Sequence, residues 1–490
     1  MLEEKTTKKQ NFLAGAAVLS LATMIVKVIG MFFKIPLNRL IGEANYGYFT
    51  TAYDIYTVLL MISTTGLPVA MSRMISEARA LNNGKQVRQI YRGYLMALLS
   101  ALMLIIPKQL ANMMENPNAM WSIFALGPAV LFVCYISACR GFFQGQGNMA
   151  PTAVSQIIEA LCKLFLGLGL AWLVMNRLGD GPLAAAGSIA GVTIGTVLSA
   201  LYLFCKTRRR TRELSRAEGQ ARPAGETLKR LLAIAVPITL GAAGLQIINL
   251  FDAATVMNRL INAAGYTQER ADVVKGVYNY CQTIFNFPCA FIPCITIAII
   301  PAITNSLTLQ DRRGVRSVQN SSLRLMGLIA MPCAVGLIVL AEPIVALLGG
   351  YTGANLTLAT KLMAILGVAV VFNSIVLMTD AIMQAHNHAV IPVINTLIGG
   401  VVKVIVNYIL VGNPDIAITG APVGTIACYA VITVLNLIAM RRVLRRNAPK
   451  LLPNLWKTTI AAVLMGGATW LAYWGLGRIG MGRAVACLGS

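Results

Sequence analysis

Apolar positions along this chain come in long blocks, not in the period-two alternation of strands. Runs of about 20 residues or more, the length a helix needs to cross roughly 30 Å of hydrocarbon, recur from end to end. They fall at 12–34, 46–70, 91–112, 121–141, 151–175, 183–205, 230–256, 277–305, 322–348, 357–383, 389–411, 419–440 and 456–477, separated by short polar or basic stretches. Backbone groups in hydrocarbon must satisfy one another, and without barrel-type alternation only helices achieve this. The pattern predicts an all-α polytopic membrane protein of about thirteen helices, fourteen at most if the tail "RIGMGRAVACLGS" (478–490) completes another.

Composition supports that class. Of 490 residues, 57% are hydrophobic and 12% charged, with a mean hydropathy of +0.69, far more apolar than a soluble domain requires. The first apolar run is too long for a signal-peptide core and reads as a retained helix. Lys and Arg number 41 against 18 acids. Most of this excess falls on alternate loops, above all "KTRRRTRELSRAEGQARPAGETLKR" (206–230) and "RRVLRRNAPK" (441–450). That asymmetry places the N-terminus, with Lys5, Lys8 and Lys9, in the cytoplasm. The charge then serves topology and contact with anionic membrane lipids, and no aromatic-interleaved motif points to nucleic acid. The ten cysteines lack any CxxC or Cys/His spacing for a metal and read as small hydrophobes. No cofactor is expected. His386 and His388 mark a turn between helices.

The chain also repeats itself. "QGQGNMAPTAVSQIIEALCKLFLGLGLAWL" (144–173) matches "QAHNHAVIPVINTLIGGVVKVIVNYILV" (384–411), each with Gln, Asn and Pro ahead of a lysine. Gly187-Ser188-Ile189-Ala190 with Thr196-Val197-Leu198 matches Gly424-Thr425-Ile426-Ala427 with Thr433-Val434-Leu435, and "NRLI" occurs at 38–41 and 258–261. An even number of spans separates the copies, so the halves run the same way through the membrane, as in two-lobed transporters. The expected organisation is a six-helix lobe over 1–205, a basic linker over 206–229 and a second six-helix lobe over 230–440. A basic loop, one further helix and a short tail complete it over 441–490. Substrate would bind near the midplane between lobes that rock to give alternating access.

Charges inside the apolar runs mark the candidate site, because a lysine at mid-membrane costs about 2.5–3.5 kcal/mol even on insertion scales. Lys163 and Lys403 occupy matching places in the repeat, and Lys27 lies midway along the first helix. The intramembrane acids are Asp54, Glu159, Asp252 and Asp380. Glu159 precedes Lys163 by one helical turn, so those two are expected to pair within the helix. Lys403, with Gly399 and Asn407 as its turn neighbours, must take a partner from another helix, from water or from a ligand. Asp54 is placed to neutralise Lys27. The candidate substrate cavity is therefore Lys27, Asp54, Glu159, Lys163, Lys403 and Asn407, the lysines facing one another. A coupled Na⁺ or H⁺ is placed near Asn249 and Asp252.

Three stretches, "LATMIVKVIGMFFKIPLNRLIG" (21–42), "TGLPVAMSRMISEA" (65–78) and "RGFFQGQGNMAPTAVSQIIEALCK" (140–163), resemble the stage V sporulation protein B group of polysaccharide-export flippases. That group shares a superfamily with lipid II flippases and multidrug-and-toxin extrusion antiporters. The resemblance implies a two-lobed fold with a central cavity, a bacterial plasma-membrane location, and transfer of a lipid-linked oligosaccharide from inner to outer leaflet. It also implies a basic residue in the first helix, where this chain has Lys27. Lysines stand here where arginines line the lipid II flippase cavity, and a lysine grips a diphosphate only as a point charge.

The residue chemistry leads to the same reading. An anionic lipid-linked headgroup needs a closable cationic cavity, whereas an antiporter of cationic drugs, the alternative, needs an acid-dominated one. Short outer loops leave no room for a catalytic domain, so the chain is expected to be a transporter and not an enzyme. No GxxxxGK[ST] occurs, which argues against ATP and leaves the membrane potential or a coupled ion as the driving force. A monomer is expected. Single cysteines placed at 206–229 or 441–455 in a cysteine-free background should resist an impermeant thiol reagent in intact cells. Ready labelling would overturn the orientation.

Overall fold

The computed structural model describes residues 2–64, 70–72, 74–75, 77–78, 85–87, 120–146, 148–214, 224–386, 388–444 and 451–478. The run expected at 91–112, part of the basic linker and the C-terminal tail lie outside the described residues. Described structure is helical throughout, without strands. In chain order come α1 (Leu2–Ile41), α2 (Glu43–Thr64), α3 (Met120–Gly145), α4 (Ala150–Leu178), α5 (Gly181–Leu214), α6 (Ala224–Asn262) and α7 (Gln268–Cys289). They are followed by α8 (Ile292–Thr308), α9 (Arg312–Val339), α10 (Ala341–Gly349), α11 (Gly353–Ala385), α12 (Val390–Val411), α13 (Gly420–Leu444) and α14 (Leu451–Arg478). Among the described residues, 8 helices are long and apolar enough to cross a membrane.

Two apolar runs are broken where the pattern predicts continuity. The run at 277–305 is split between α7 and α8. Pro288 has no N–H to donate, and the turn closes instead through the Ala290 N–H on the Asn286 and Phe287 carbonyls and the Phe291 N–H on that of Pro288. The run at 322–348 starts earlier, at Arg312, where the Asp311 carboxylate caps α9 by accepting from the Gly314 N–H at 2.9 Å. It stops at Leu340, and α10 restarts with Pro343 in its first turn, where a missing N–H costs nothing.

The chain forms two compact units, one comprising Met1–Phe33 with Leu40–Leu250, the other Lys34–Arg39 with Phe251–Ser490. In the first, α3 packs on α5 around Ile136, Cys139, Phe142 and Leu203, with Met71 and Ile75 completing the cluster. In the second, α8, α9, α11, α13 and α14 close over Ile303, Leu323, Met326, Met378 and Ile382. The short α1 segment of the second unit is tied down by Asn38 Nδ2, which donates to the Tyr351 hydroxyl at 3.2 Å, and by Arg39 Nε, which donates to the Leu348 carbonyl at 2.7 Å. Outer faces are apolar: α14 exposes Trp456, Ile460, Val463, Leu464, Trp470 and Leu471, the composition that lipid tails cover. The described cysteines are free and mostly buried, as small hydrophobes should be.

Candidate functional site

On α12 the side chains sort by helical period. Ile394, Ile398, Val401, Ile405 and Tyr408 are exposed on one face. Asn395, Gly399, Lys403 and Asn407 recur every fourth residue on another, which packs inward with Asn395, Gly399 and Asn407 buried. On α4 the corresponding stripe is Ser155, Glu159, Lys163 and Gly167. The repeat extends to contacts. In the first unit Ser199 Oγ of α5 donates to the Ser155 carbonyl at 3.1 Å. At the matching place in the second, Asn395 Nδ2 donates to Asn436 Oδ1 of α13 at 2.8 Å.

Lys403 finds its partner on another helix. Its Nζ lies 2.7 Å from Asp252 Oδ2 of α6, and the two side chains are only 15% and 8% exposed. Asn407 Nδ2 donates to the other oxygen, Asp252 Oδ1, at 2.6 Å. Asn407 itself is fully buried, and it fits because residue 424 is glycine: a Cβ there would overlap Asn407 Oδ1. Both oxygens of Asp252 are thus occupied, and the place the sequence offers a coupled ion holds the protein's own ammonium. Asn249, in the first unit, is exposed, and its side chain makes no hydrogen bond among the described residues.

The first unit corrects the expected Glu159–Lys163 pair. Glu159 Oε2 is held by Arg140 Nη2 of α3 at 2.7 Å, while Arg140 Nε donates to Ser155 Oγ at 2.9 Å. The guanidinium fork spans two acceptors one turn apart on α4, a grip that a lysine on the same helix cannot match. Lys163 turns to aromatic groups instead. Its Nζ donates to the Tyr53 hydroxyl at 3.2 Å and lies 4.5 Å from the Tyr53 ring centre and 5.0 Å from that of Phe33. It also opens a π-helical turn, Lys163–Gly167, which brings Gly167 against Gly191 of α5.

Lys27 is exposed on α1 and makes no ion pair among the described residues, so Asp54, half-buried on α2, does not neutralise it. One turn away, Thr23 Oγ1 donates to Gln156 Oε1 of α4 at 3.3 Å, which sets the Lys27 face of α1 beside the Glu159–Lys163 level of α4. In the first unit the contacts thus join Arg140 to Glu159 and Ser155 and Lys163 to Tyr53 and Phe33, and in the second they join Lys403 and Asn407 to Asp252. Arg140 is the member that sequence reasoning misses, because it lies at the end of an apolar run and reads as a loop charge. Its signal was available: counting back from the two repeated lysines, Arg140 corresponds to Asp380. No group of acids, cysteines or histidines with a metal-binding arrangement occurs among the described residues.

Comparisons with known proteins identify the family. The family model described as "Polysaccharide biosynthesis protein" matches residues 12–307, and the one described as MatE matches residues 272–409. Stage V sporulation protein B of Bacillus subtilis (strain 168) is 26% identical over 446 residues, which cover 89% of this chain and 85% of that protein. Lipid II flippase MurJ of the same organism is 24% identical over 497 residues, 95% of this chain and 89% of that one. Among solved structures, a lipid II flippase MurJ in an inward closed conformation superposes with a TM-score of 0.72 at 14% identity, covering 96% of this chain and 97% of that chain. Matched over more than half of its length, the chain belongs to the polysaccharide biosynthesis protein family and is a multi-pass membrane transporter of the superfamily that also holds lipid II flippases and MATE transporters.

Proposed function

We propose that this protein is a flippase that carries a lipid-linked anionic oligosaccharide, a lipid II-like or related cell-envelope precursor, from the inner to the outer leaflet by alternating access. The observation that carries this reading is in the first unit. Lys27 and Lys163 lie in spanning helices, and neither ammonium has a carboxylate partner among the described residues. Unneutralised cations at membrane depth are costly unless an anion visits them, and a headgroup phosphate is an anion of the right kind. The relatives support it, since one is named a lipid II flippase and another a stage V sporulation protein.

Lys403 enters differently from its repeat-mate. Held by Asp252, it meets a phosphate only by exchanging partners, so its first contribution is to hold α6 and α12 together. The expected order of sensitivity follows. Lys27→Gln and Lys163→Gln should each lower lipid transport by about tenfold, the scale of one lost charge-assisted hydrogen bond, with expression unchanged. Arg at either place should retain part of the rate. Glu159 pairs with Arg140 and leaves the Lys163 charge unshielded, so Lys163→Gln should be as damaging as Lys27→Gln. The assay is headgroup accessibility of a diphosphate-linked lipid in proteoliposomes, with efflux of a cationic dye alongside. Movement of the dye without the lipid would replace the flippase by the cation-coupled multidrug antiporter. Undiminished lipid transport by the Lys27/Lys163 double Gln variant would remove both lysines from the site.

A further inference from the structure

The repeat that pairs Lys163 with Lys403 also pairs Arg140 with Asp380 and Glu159 with Gly399. In the first unit the cation of α3 and the acid of α4 neutralise each other at 2.7 Å. In the second the sign is inverted on α11 and the counter-charge is gone, because the position on α12 that matches Glu159 is Gly399, which packs against Ile432 and Cys428 of α13. Asp380 is accordingly a half-buried carboxylate in a spanning helix with no cation within ion-pair distance among the described residues.

What holds it is an amide. Asn436 Nδ2 of α13 donates to Asp380 Oδ1 at 2.7 Å and, with its second N–H, to Thr379 Oγ1 at 3.0 Å. Asn436 Oδ1 accepts from Asn395 Nδ2 of α12 at 2.8 Å. Thr379 spends its own hydroxyl hydrogen on the Ile375 and Val376 carbonyls, both at 2.9 Å, so it can only accept from Asn436. Each donor of the amide is therefore committed, and the Asn436 orientation is fixed by Thr379 and Asn395, which do not titrate. Thr379 and Asn436 are fully buried. Asp380 Oδ2 accepts no hydrogen bond among the described residues. The one member of this α11–α12–α13 network able to change state is the Asp380 carboxylate.

Among the described residues, neighbouring charges do not reach it. On α9, Arg316 is exposed and Arg324 donates from Nε to Asn454 Oδ1 at 3.0 Å. On α13, Arg441 and Arg442 are exposed beyond Asn436. In the turn that follows α11, His386 Nδ1 lies 2.8 Å from the Ile382 carbonyl, and His388 is exposed. On α12 the sole charge, Lys403, is held by Asp252. α8 carries no charge, and those of α7 and α10 lie toward the opposite end of α11, where Cys281 contacts the Ala359 carbonyl.

We propose that Asp380 is a proton-binding site: water at the His386 end of α11 delivers H⁺ to the carboxylate, which becomes a neutral carboxylic acid, and the same proton leaves by the reverse step. Uptake turns a charge-assisted Asn436–Asp380 bond into a neutral one, roughly half as strong, and so loosens α11 from α13. The site is a property of the empty protein. Its use in driving transport rests on the flippase reading above, but its existence does not.

Infrared spectra of the protein in lipid vesicles, recorded from about pH 8 to about pH 5, test it without any substrate. A carboxylic C=O band should grow in as pH falls and be lost in Asp380→Asn. Asp380→Glu should restore a band at a displaced frequency, which keeps the test valid if the Asn variant does not fold. Hydrogen exchange in α13 around Asn436 should follow the same titration in the wild type and become flat in Asp380→Asn. Identical titrations of wild type and Asp380→Asn, no displaced band in Asp380→Glu, or exchange in wild-type α13 that ignores pH would each overturn the proposal. Failure of lipid transport with the band intact would reject the flippase and leave the proton site standing.

Discussion

Lys403→Gln should lower the unfolding free energy by about 3–5 kcal/mol, and Asp252→Asn by a similar amount, because each leaves one buried charge facing a neutral group. The pair is largely buried, and Asn407 occupies the remaining carboxylate oxygen. The double variant, Lys403→Gln with Asp252→Asn, should recover most of the loss. Two neutral amides of nearly native volume can hydrogen-bond to each other and to Asn407 at much smaller desolvation cost. Thermal unfolding in a mild detergent, run as a double-mutant cycle, reads both outcomes. Single variants as stable as wild type, or a double variant as unstable as the sum of the singles, would mean that the pair does not join the helices.

A second large effect is expected at Gly191, where α5 crosses the π-helical turn of α4. A methyl group there would overlap the backbone nitrogen and Cα of Gly167, and backbone cannot swing aside as a side chain does. Gly191→Ala should therefore force α4 away from α5, cost about 1–3 kcal/mol in overpacking, and shift Lys163, which opens the same turn. Gly169→Ala is the control: nothing lies within 4 Å of the added Cβ, and replacing a helical glycine by alanine should there be neutral or gain up to about 1 kcal/mol. Equal unfolding midpoints for the two variants would show that the close approach of α4 and α5 carries no weight.

The amino-acid pattern by itself determined the helical membrane class, most spans, the internal repeat and the resemblance to flippases. Each of these depends on composition and period within a single helix or on the order of helices along the chain. Even the stripes Ser155–Glu159–Lys163–Gly167 and Asn395–Gly399–Lys403–Asn407 are written in the four-residue spacing. Tertiary structure alone decided which charge meets which. Glu159 has Lys163 one turn away and still pairs with Arg140, since the rotation and depth of α3 against α4 bring a two-pronged donor to the same carboxylate. Lys403 meets Asp252 across a sequence gap that no periodicity links, and Lys27 is left without Asp54 for the same reason. Rotation and depth of one apolar helix against another leave almost no trace in hydropathy, because lipid-facing and core-facing residues are both apolar. The breaks at Ala290 and Leu340 belong to the tertiary level too: a proline within a membrane run either bends or ends the helix according to which neighbouring groups re-satisfy the freed carbonyls.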